Sequence, residues 1–242
     1  MDQININLAV LIDGDNIPSA YIKEMMEEIT KYGNPTIKRI YGDWTKPHLS
    51  KWKNLLLENA ITPIQQYGYT TGKNATDSAM IIDAMDILYS GKVSGFCLVS
   101  SDSDYTRLAT RIRETGVFAM GIGEKKTPKP FVNACDVFVY TENLVTEVKN
   151  PKTKSPKTQG KISPDQEPIP SLIKAFEMSV QEDGWSLLAV MGNALYQLDP
   201  GFDPRTYGHK QLSRLIGSYK DIFEQRSVES NGSTLFYVKV KE

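Results

Sequence analysis

The sequence predicts an α/β fold with a mainly parallel sheet and helices on both of its faces, followed by a small domain of helices and a hairpin. Two apolar runs, at 8–12 and 96–99, are continuous, as strands buried on both faces should be. Further apolar runs alternate with segments of helical period, which is typical of a parallel sheet with helical crossovers. Beyond residue 168 the order changes to helices followed by two extended runs.

The first domain is expected to contain six strands that alternate with helices. The predicted strands cover 8–12, 37–41, 61–67, 96–99, 117–122 and 137–139. The predicted helices, each of which ends near glycine or another turn residue, cover 18–32, 47–59, 76–89 and 104–115.

The second domain is expected to be a winged helix. Amphipathic periodicity predicts helices at 171–181, 186–198 and 208–219. Two extended runs, at 222–228 and 234–240, flank Asn231-Gly232, which is a strong hairpin signal. Three helices followed by a hairpin describe a winged helix, an architecture that frequently binds nucleic acids.

A lysine-rich segment separates the two domains. Every charged residue from 149 to 161 is a lysine, and the Pro, Thr, Ser and Gly between them cannot bury enough apolar surface to fold. We therefore expect a folded domain at 1–148, a flexible linker at 149–168 and the winged helix at 169–242. The basic linker either attracts phosphates or serves only as a solvated spacer.

The overall composition is that of a globular protein. Hydrophobic residues make up 40% of the 242 residues and charged residues 24%, which excludes a collagen-like or largely disordered chain. No apolar run approaches the roughly 20 residues that span a bilayer, and the first residues lack a signal-peptide pattern, so no membrane contact and a cytoplasmic location are expected. Cys97 and Cys135 lack the spacing of a zinc site and are expected to be reduced, structural thiols.

Acidic residues follow both central strands. Asp13 directly follows the first strand, and Asp102 and Asp104 follow the other, at the sheet edge where open α/β proteins bind ligands. Asp77 lies in the first turn of a predicted helix, where the helix dipole favours a carboxylate. Carboxylates brought within a few ångströms cannot all stay ionised at pH 7 without a cation. The pattern therefore predicts a Mg²⁺ or Mn²⁺ site that would activate water against a phosphodiester.

Each of these aspartates also has a structural interpretation, because Asp commonly caps helices and ends turns. Asp104 is either a ligand or the cap of the following helix. Asp15 and Asp83 are better explained by backup or structural roles, because position 83 is well off the helix face of position 77.

Three motifs in the first domain resemble the NYN branch of the PIN-like nucleases, in its LabA-like group. They are Leu-Ile-Asp-Gly-Asp-Asn at 11–16, Lys-Asn-Ala-Thr-Asp-Ser-Ala-Met-Ile-Ile-Asp-Ala-Met at 73–85, and Leu-Val-Ser-Ser-Asp-Ser-Asp-Tyr at 98–105. The resemblance covers roughly residues 5–145.

This resemblance implies a PIN-like, Rossmann-like fold and Mg²⁺- or Mn²⁺-dependent cleavage of RNA. It also implies that Asp13, Asp77 and Asp102 bind the metal and that Asn16 orients a ligand or a water. Asp104 completes the set of candidate catalytic residues.

The second domain resembles the OST-HTH, or LOTUS, domain through Gly-Trp-Ser-Leu at 184–187 and a longer motif at 198–208. That resemblance implies RNA binding or protein contact by a winged helix. Candidates for RNA contact on this domain are Arg205, His209, Lys210 and Arg214. The last two are expected to be i, i+4 neighbours on the third helix.

Candidates for RNA contact also occur in the first domain. Lys73 lies in a loop before Asp77, and Arg107 and Arg111 are spaced i, i+4 on one predicted helix. The alternative interpretation of each is a solvated surface residue that does not contact RNA. Trp44 and Trp52 either stack on bases or, as is commoner for aromatic residues, belong to the core.

Three functions are compatible with the sequence at this point. They are an endoribonuclease whose winged helix recruits RNA, a noncatalytic RNA-binding adaptor that keeps the nuclease fold, and a phosphatase of the haloacid dehalogenase type. The third arises because Asp13-Gly14-Asp15 after a strand imitates a phosphatase nucleophile motif, although no suitably placed lysine and threonine motifs accompany it. RNA is the expected partner, and a protein partner at the winged helix or a homodimer is also compatible with the sequence.

Overall fold

The computed structural model describes residues 6–67, 75–144, 167–230 and 233–241. The chain divides into two compact units, Met1–Val145 and Thr146–Glu242. Three predicted features lie outside the described residues: the loop that contains Lys73, most of the lysine-rich linker, and Asn231-Gly232 of the hairpin.

The first unit is built on a six-stranded sheet. Its strands are β1 (Asn7–Asp13), β2 (Asn34–Gly42), β3 (Thr62–Gln65), β4 (Gly95–Val99), β5 (Phe118–Gly123) and β6 (Val137–Tyr140). They lie in the order β3-β2-β1-β4-β5-β6, and the pairings between neighbours are parallel. The prediction of a mainly parallel sheet with these strands is confirmed, although the third strand is shorter than expected.

Helices connect these strands within the described part of the first unit. They are α1 (Ile22–Ile29), α2 (Trp52–Glu58), α3 (Ala75–Ser90), α4 (Thr106–Glu114) and α5 (Lys129–Ala134). Short 3-10 helices at Ser19–Tyr21, Pro47–Lys51 and Ser103–Tyr105 lead into α1, α2 and α4. The sequence does not predict α5, because six residues with a proline near the start are too few to show a helical period.

The central strands have buried side chains on both faces of the sheet. Ala9 and Leu11 of β1 project into a core that they share with residues of α3, α4 and α5. Leu8, Val10 and Ile12 alternate with them, project to the opposite face, and are equally buried. This double burial is the physical reason that β1 reads as a continuous apolar run rather than an alternating one.

The strand order reverses between β1 and β4. The chain runs outward from β1 to β3, then crosses back to β4 and runs outward to β6. The connections that leave β1 and β4 therefore diverge, and a crevice opens at the carboxyl edge between them. Asp13 ends β1, and Asp102 lies three residues beyond the end of β4, so both acids are placed at this crevice.

The second unit combines three α-helices with a three-stranded antiparallel sheet in its described residues. The helices are α6 (Ile169–Ser179), α7 (Leu188–Leu198) and α8 (Leu212–Ser218). The strands β7 (Ser186–Leu187), β8 (Phe223–Ser230) and β9 (Ser233–Val240) lie in the order β7-β9-β8. A core that includes Leu172, Met191, Leu215 and Val238 joins the helices to the sheet, as expected for a winged helix.

Two predicted helix starts in the second unit are wrong. The first two residues of the helix predicted at 186–198 instead form β7, because β9 offers them backbone hydrogen bonds. The helix predicted at 208–219 begins only at Leu212. Gly208 has a left-handed φ of 81° and Gln211 is extended, so the backbone cannot be helical across them.

Both cysteines are free and buried. Burial raises the pKa of the Cys135 thiol to about 12, and it raises the pKa of Cys97 as well. The expectation of unreactive structural thiols is consistent with this, since the thiolate is the reactive form. Across the described ranges, every helix is too short or too polar to cross a membrane.

Candidate metal centre

Hydrogen bonds through Ser100 connect the carboxyl ends of β1 and β4. The Ser100 hydroxyl donates to Asp13 Oδ2 at 3.0 Å, and the backbone N–H of Asp102 donates to Ser100 Oγ at 3.1 Å. Ser100 is fully buried, and the Asp13 residue is only 2% exposed. The parallel pairing of β1 with β4 brings the residues that follow the two strands together. This short chain of bonds fixes Asp13 and Asp102 relative to each other.

Asp102 caps the 3-10 turn that follows β4. Its Oδ1 accepts the backbone N–H of Asp104 at 2.9 Å, a bond typical of aspartate at a helix start. The cap of this turn is therefore Asp102, and Asp104 is carried within the turn on an exposed side. The capping role that the sequence allowed for Asp104 is therefore filled by Asp102.

Asp77 lies in the first turn of α3 and is held by Tyr105. The Tyr105 hydroxyl donates to Asp77 Oδ1 at 2.8 Å. The Tyr105 ring is fully buried, and its centroid is 6.4 Å from that of Phe131. A rigid aromatic side chain thus orients a carboxylate that belongs to another element.

The four aspartates predicted to be catalytic meet at this edge of the sheet, and Asp15 lies beside them. Carboxylate oxygens of Asp77, Asp102 and Asp104 lie within 4.8 Å of one another. Asp13, Asp77 and Asp102 line a pocket of about 210 Å³, together with Asp15, Asn16, Lys46, Ala75 and Thr76. The three predicted metal ligands therefore share one pocket. The tightest triplet among the described residues, however, contains Asp104 in place of the more buried Asp13.

The electrostatics of the pocket disfavour four bare carboxylates. The pKa of Asp13 is raised to about 7, mainly by burial and also by the charges of Asp77 and Asp15, while the hydrogen bond from Ser100 lowers it. Burial is also the main reason that the pKa of Asp77 is raised, with contributions from Asp102 and Asp104. Burial and the neighbouring carboxylates both penalise negative charge and outweigh the hydrogen bonds from Ser100 and Tyr105, so the pocket favours a compensating cation.

The residues present fit a divalent metal ion. The clustered donors are all carboxylate oxygens, which are hard ligands of the kind that Mg²⁺ and Mn²⁺ prefer. Asp77 and Asp102 are half-buried and Asp104 is exposed, so the cluster is open to solvent on one side. A half-open set of oxygen ligands leaves coordination positions for water or a phosphate oxygen.

Asn16, Asp15 and Asp83 have other partners. Asn16 Oδ1 accepts the backbone N–H of Ser101 at 3.3 Å, which ties the loop after β1 to the end of β4. Asp83 forms an ion pair with Arg39 and accepts the Tyr41 hydroxyl, so it joins α3 to β2. Asp15 lies at the pocket, where it faces basic side chains.

The candidates for RNA contact in the first domain differ in exposure and in bonding. Arg107 is exposed on the first turn of α4, three residues beyond Asp104. Arg111 is bonded to the Tyr89 hydroxyl at 3.0 Å and to Glu114 at 3.3 Å. Trp52 is a core residue, as favoured by the sequence. Lys73 lies outside the described residues.

The candidates for RNA contact in the second domain also differ in exposure and in bonding. Arg205 is paired with the buried Asp203 through Nη2 at 2.7 Å and Nε at 2.9 Å. Arg214 is exposed on α8 and His209 is half-buried. Lys210 is exposed but precedes α8, so the prediction that it is a helical i, i+4 neighbour of Arg214 is wrong.

Three residues that shape the pocket have no role that the sequence predicts. Ser100 and Tyr105 lie inside the motif at 98–105, beside the aspartates they bond, so their proximity to Asp102 was the available signal. Lys46 follows β2 and gives no comparable signal, because only the folded chain brings it beside Asp15.

The family comparisons divide the chain as the structure does. The NYN domain model matches residues 7–143, and the OST-HTH/LOTUS domain model matches residues 161–233. No curated protein matches the chain.

Two solved structures are similar to parts of the chain. A protein of unknown function from Vibrio parahaemolyticus is 17% identical, with a TM-score of 0.48, over 58% of this chain and 95% of that one. An uncharacterized protein from Nitrosomonas europaea is 32% identical, with a TM-score of 0.29, over 38% of this chain and 90% of that one. Together, the parallel sheet, the acids at its carboxyl edge and the match over residues 7–143 show that this chain belongs to the NYN domain family, within the PIN-like nuclease superfamily, and carries a C-terminal OST-HTH/LOTUS domain.

Proposed function

We propose that this protein is a metal-dependent endoribonuclease that hydrolyses phosphodiester bonds in RNA. The observation that carries the proposal is the convergence of Asp13, Asp77 and Asp102 in one pocket, where Asp104 completes a carboxylate cluster with Asp77 and Asp102. Membership of the NYN family supports it, because that family belongs to the PIN-like nuclease superfamily.

In this proposal the side chains of the pocket have two roles, metal binding and the supply of additional negative charge. Asp77, Asp102 and Asp104 hold a Mg²⁺ or Mn²⁺ ion through hard oxygen ligands. Asp13, bonded by Ser100, adds negative charge to the same pocket and strengthens its preference for a divalent cation. When bound, such an ion polarises the phosphodiester and makes the attacking water more acidic.

Two further parts of the chain position the substrate in this proposal. Asn16 is anchored on the backbone of Ser101 and orients a ligand or water at the pocket. The OST-HTH/LOTUS domain binds RNA, and the exposed Lys210 and Arg214 are among the cations that contact it. Phosphate contacts of this kind supply affinity without sequence information.

The NYN match argues against the phosphatase alternative. In that alternative Asp15 would serve the chemistry beside Asp13, but Asp15 instead contacts Lys46, His48 and Thr76. The noncatalytic adaptor is separated from the nuclease by experiment.

The test is a cleavage assay on labelled single-stranded RNA with the full chain, in arms containing Mg²⁺, Mn²⁺ or EDTA. We expect metal-dependent cleavage that Asp102→Asn lowers by about 100-fold or more, because a metal ligand is lost. Asp86→Asn, an exposed change on α3, is the matched control and should cleave normally. RNA binding by the wild type without cleavage in any arm would establish the adaptor instead.

A further inference from the structure

The loop between β2 and α2 places basic side chains beside the acidic pocket. From this arrangement we propose that Lys46 binds a backbone phosphate of RNA adjacent to the scissile one, and that Asp15 holds Lys46 in place rather than binding metal. The inference deepens the proposed nuclease function and rests on it for the identity of the ligand.

The first part of this loop is built around a buried carboxylate. Asp43 is only 8% exposed, and its Oδ1 accepts the Thr45 hydroxyl at 2.7 Å and the Gln65 side-chain amide at 3.0 Å. The backbone N–H of Lys46 donates to the Asp43 carbonyl at 2.9 Å. The backbone at Lys46 is therefore fixed by bonds to a buried neighbour.

The loop is also fastened to the adjacent strand. The Trp44 indole N–H donates to the Ile64 carbonyl at 3.0 Å, and the Trp44 backbone N–H donates to Gln65 Oε1 at 3.0 Å. Both acceptors belong to β3. Trp44 and Thr45 are thus both bonded within the loop and its neighbouring strand, and the exposed side chain of Lys46 is available to a ligand.

Asp15 is the point where the basic side chains converge. Its Oδ1 lies 3.0 Å from His48 Nε2 and 3.7 Å from Lys46 Nζ, and its Oδ2 accepts the Thr76 hydroxyl at 3.3 Å. Asp15 is not a member of the carboxylate triplet found among the described residues. Its two oxygens have partners drawn from the pocket rim, which is the environment of a positioning residue.

The negative charge of the pocket means that RNA binding beside it requires a positively charged side chain of the protein. An RNA strand is a polyanion, and the aspartates that gather metal also repel its phosphates. Lys46 is the one lysine or arginine that lines this pocket in the part of the chain that the structure describes. Its side chain is 47% exposed, so a phosphate can reach the ammonium, and the three donors of the ammonium let it contact a phosphate while it stays paired with Asp15. A lysine ammonium is a compact point charge suited to such a contact.

The test measures RNA affinity in the full chain with Ca²⁺ replacing Mg²⁺ and Mn²⁺, using anisotropy of a short labelled single strand across a salt series. Lys46→Met should weaken binding by about 5- to 10-fold near 0.1 M salt and make the slope of log K against log salt shallower by about 0.7, the value for one lost phosphate contact on a single strand. Lys46→Arg should restore both quantities. Lys92→Met is the matched control, because Lys92 is exposed and precedes β4 at the opposite edge of the sheet.

The role of Asp15 is tested by Mn²⁺ calorimetry. Asp15→Asn should change Mn²⁺ affinity by less than about threefold while weakening RNA binding, whereas Asp102→Asn should lower Mn²⁺ affinity by more than about tenfold. Equal losses of Mn²⁺ affinity in the two variants would overturn the positioning role and make Asp15 a ligand.

The outcomes separate this inference from the nuclease proposal. A wild type that fails to cleave, together with a Lys46→Met variant that loses affinity, supports the phosphate subsite and rejects the nuclease. A wild type that cleaves, together with a Lys46→Met variant that binds and cleaves like Lys92→Met, overturns the subsite and leaves the nuclease intact.

Discussion

Tyr105 donates its hydroxyl hydrogen to Asp77 Oδ1 at 2.8 Å, across 28 residues of sequence. The bond joins the turn after β4 to the first turn of α3, and the donor ring is fully buried. A carboxylate with a pKa raised by burial is thereby kept in one orientation and its charged form is favoured. The geometry of the proposed metal centre depends on this contact as much as on the acids themselves.

Replacing Tyr105 by Phe should therefore weaken Mn²⁺ binding by about tenfold, as expected when an outer partner of a ligand is lost. Since the hydroxyl bond lowers the pKa of Asp77, its removal raises that pKa further, and the defect should be larger at pH 6 than at pH 8. Mn²⁺ calorimetry on the full chain at the two pH values measures both effects. Tyr89→Phe removes a hydroxyl bonded to Arg111 on the surface and should leave affinity unchanged; a Tyr105→Phe variant with that same behaviour would contradict the prediction.

Asp13→Asn should raise the melting temperature of the metal-free protein at pH 8. Burial raises the pKa of Asp13 from an ordinary value of 3.8 to about 7. The folded state thus holds a proton that the unfolded state has lost, and stability falls as pH rises from about 4 to about 7. Ionised Asp13 costs on the order of 4 kcal/mol above that window, and asparagine can still accept the Ser100 bond without the cost.

The same substitution should give no stabilisation at pH 4, where Asp13 is protonated in the folded protein. Thermal unfolding in EDTA at pH 4 and pH 8 compares the two conditions, with Asp86→Asn as the exposed control. A lower melting temperature for Asp13→Asn at pH 8 would mean that the ionised carboxylate is structurally bonded and would count against a repulsive metal pocket.

Ser100→Ala should destabilise the metal-free protein by about 1–3 kcal/mol. The change leaves the backbone N–H of half-buried Asp102 without its acceptor and removes the hydroxyl that bonds the buried carboxylate of Asp13. Urea unfolding in EDTA measures the loss. Ser90→Ala, at the exposed end of α3, should stay within about 0.5 kcal/mol of the wild type, and an equally small effect at Ser100 would show that the bond chain is unimportant.

Arg205 and Arg214 of the winged helix should respond in opposite ways to substitution by alanine. Arg205→Ala should lower the melting temperature, because buried Asp203 loses its counter-ion, with little change in RNA affinity beyond that due to unfolding. Arg214→Ala should leave the melting temperature unchanged and lower RNA affinity by about 3- to 10-fold, with a shallower salt dependence. Thermal unfolding and anisotropy on both variants measure this, and an affinity loss confined to Arg205→Ala would reverse the assignment.

The sheet and its acids are predictable because they depend on neighbouring residues. Continuous apolar runs mark β1 and β4 wherever both faces are buried, and an aspartate after such a run lies at the carboxyl edge. Dependence on neighbouring residues also explains why helix starts in the second unit were predicted wrongly. The residues of β7 resemble the start of a helix until β9 pairs with them, and that partner lies about 50 residues away in the sequence.

The sequence by itself determined that acids from three separate motifs meet at one edge of a parallel sheet, since strand order and helix starts leave their backbones little choice. Only the tertiary structure decided that Asp104 rather than Asp13 belongs to the tightest triplet, that Tyr105 and Ser100 orient the carboxylates, and that Lys46 pairs with Asp15 at the pocket. The physical reason is the sequence separation of the residues involved. Strands and helices follow from patterns that repeat over a few residues. A hydrogen bond or ion pair requires side chains that are distant in sequence to come within 3 to 4 Å, and only the packing of the folded chain brings them that close.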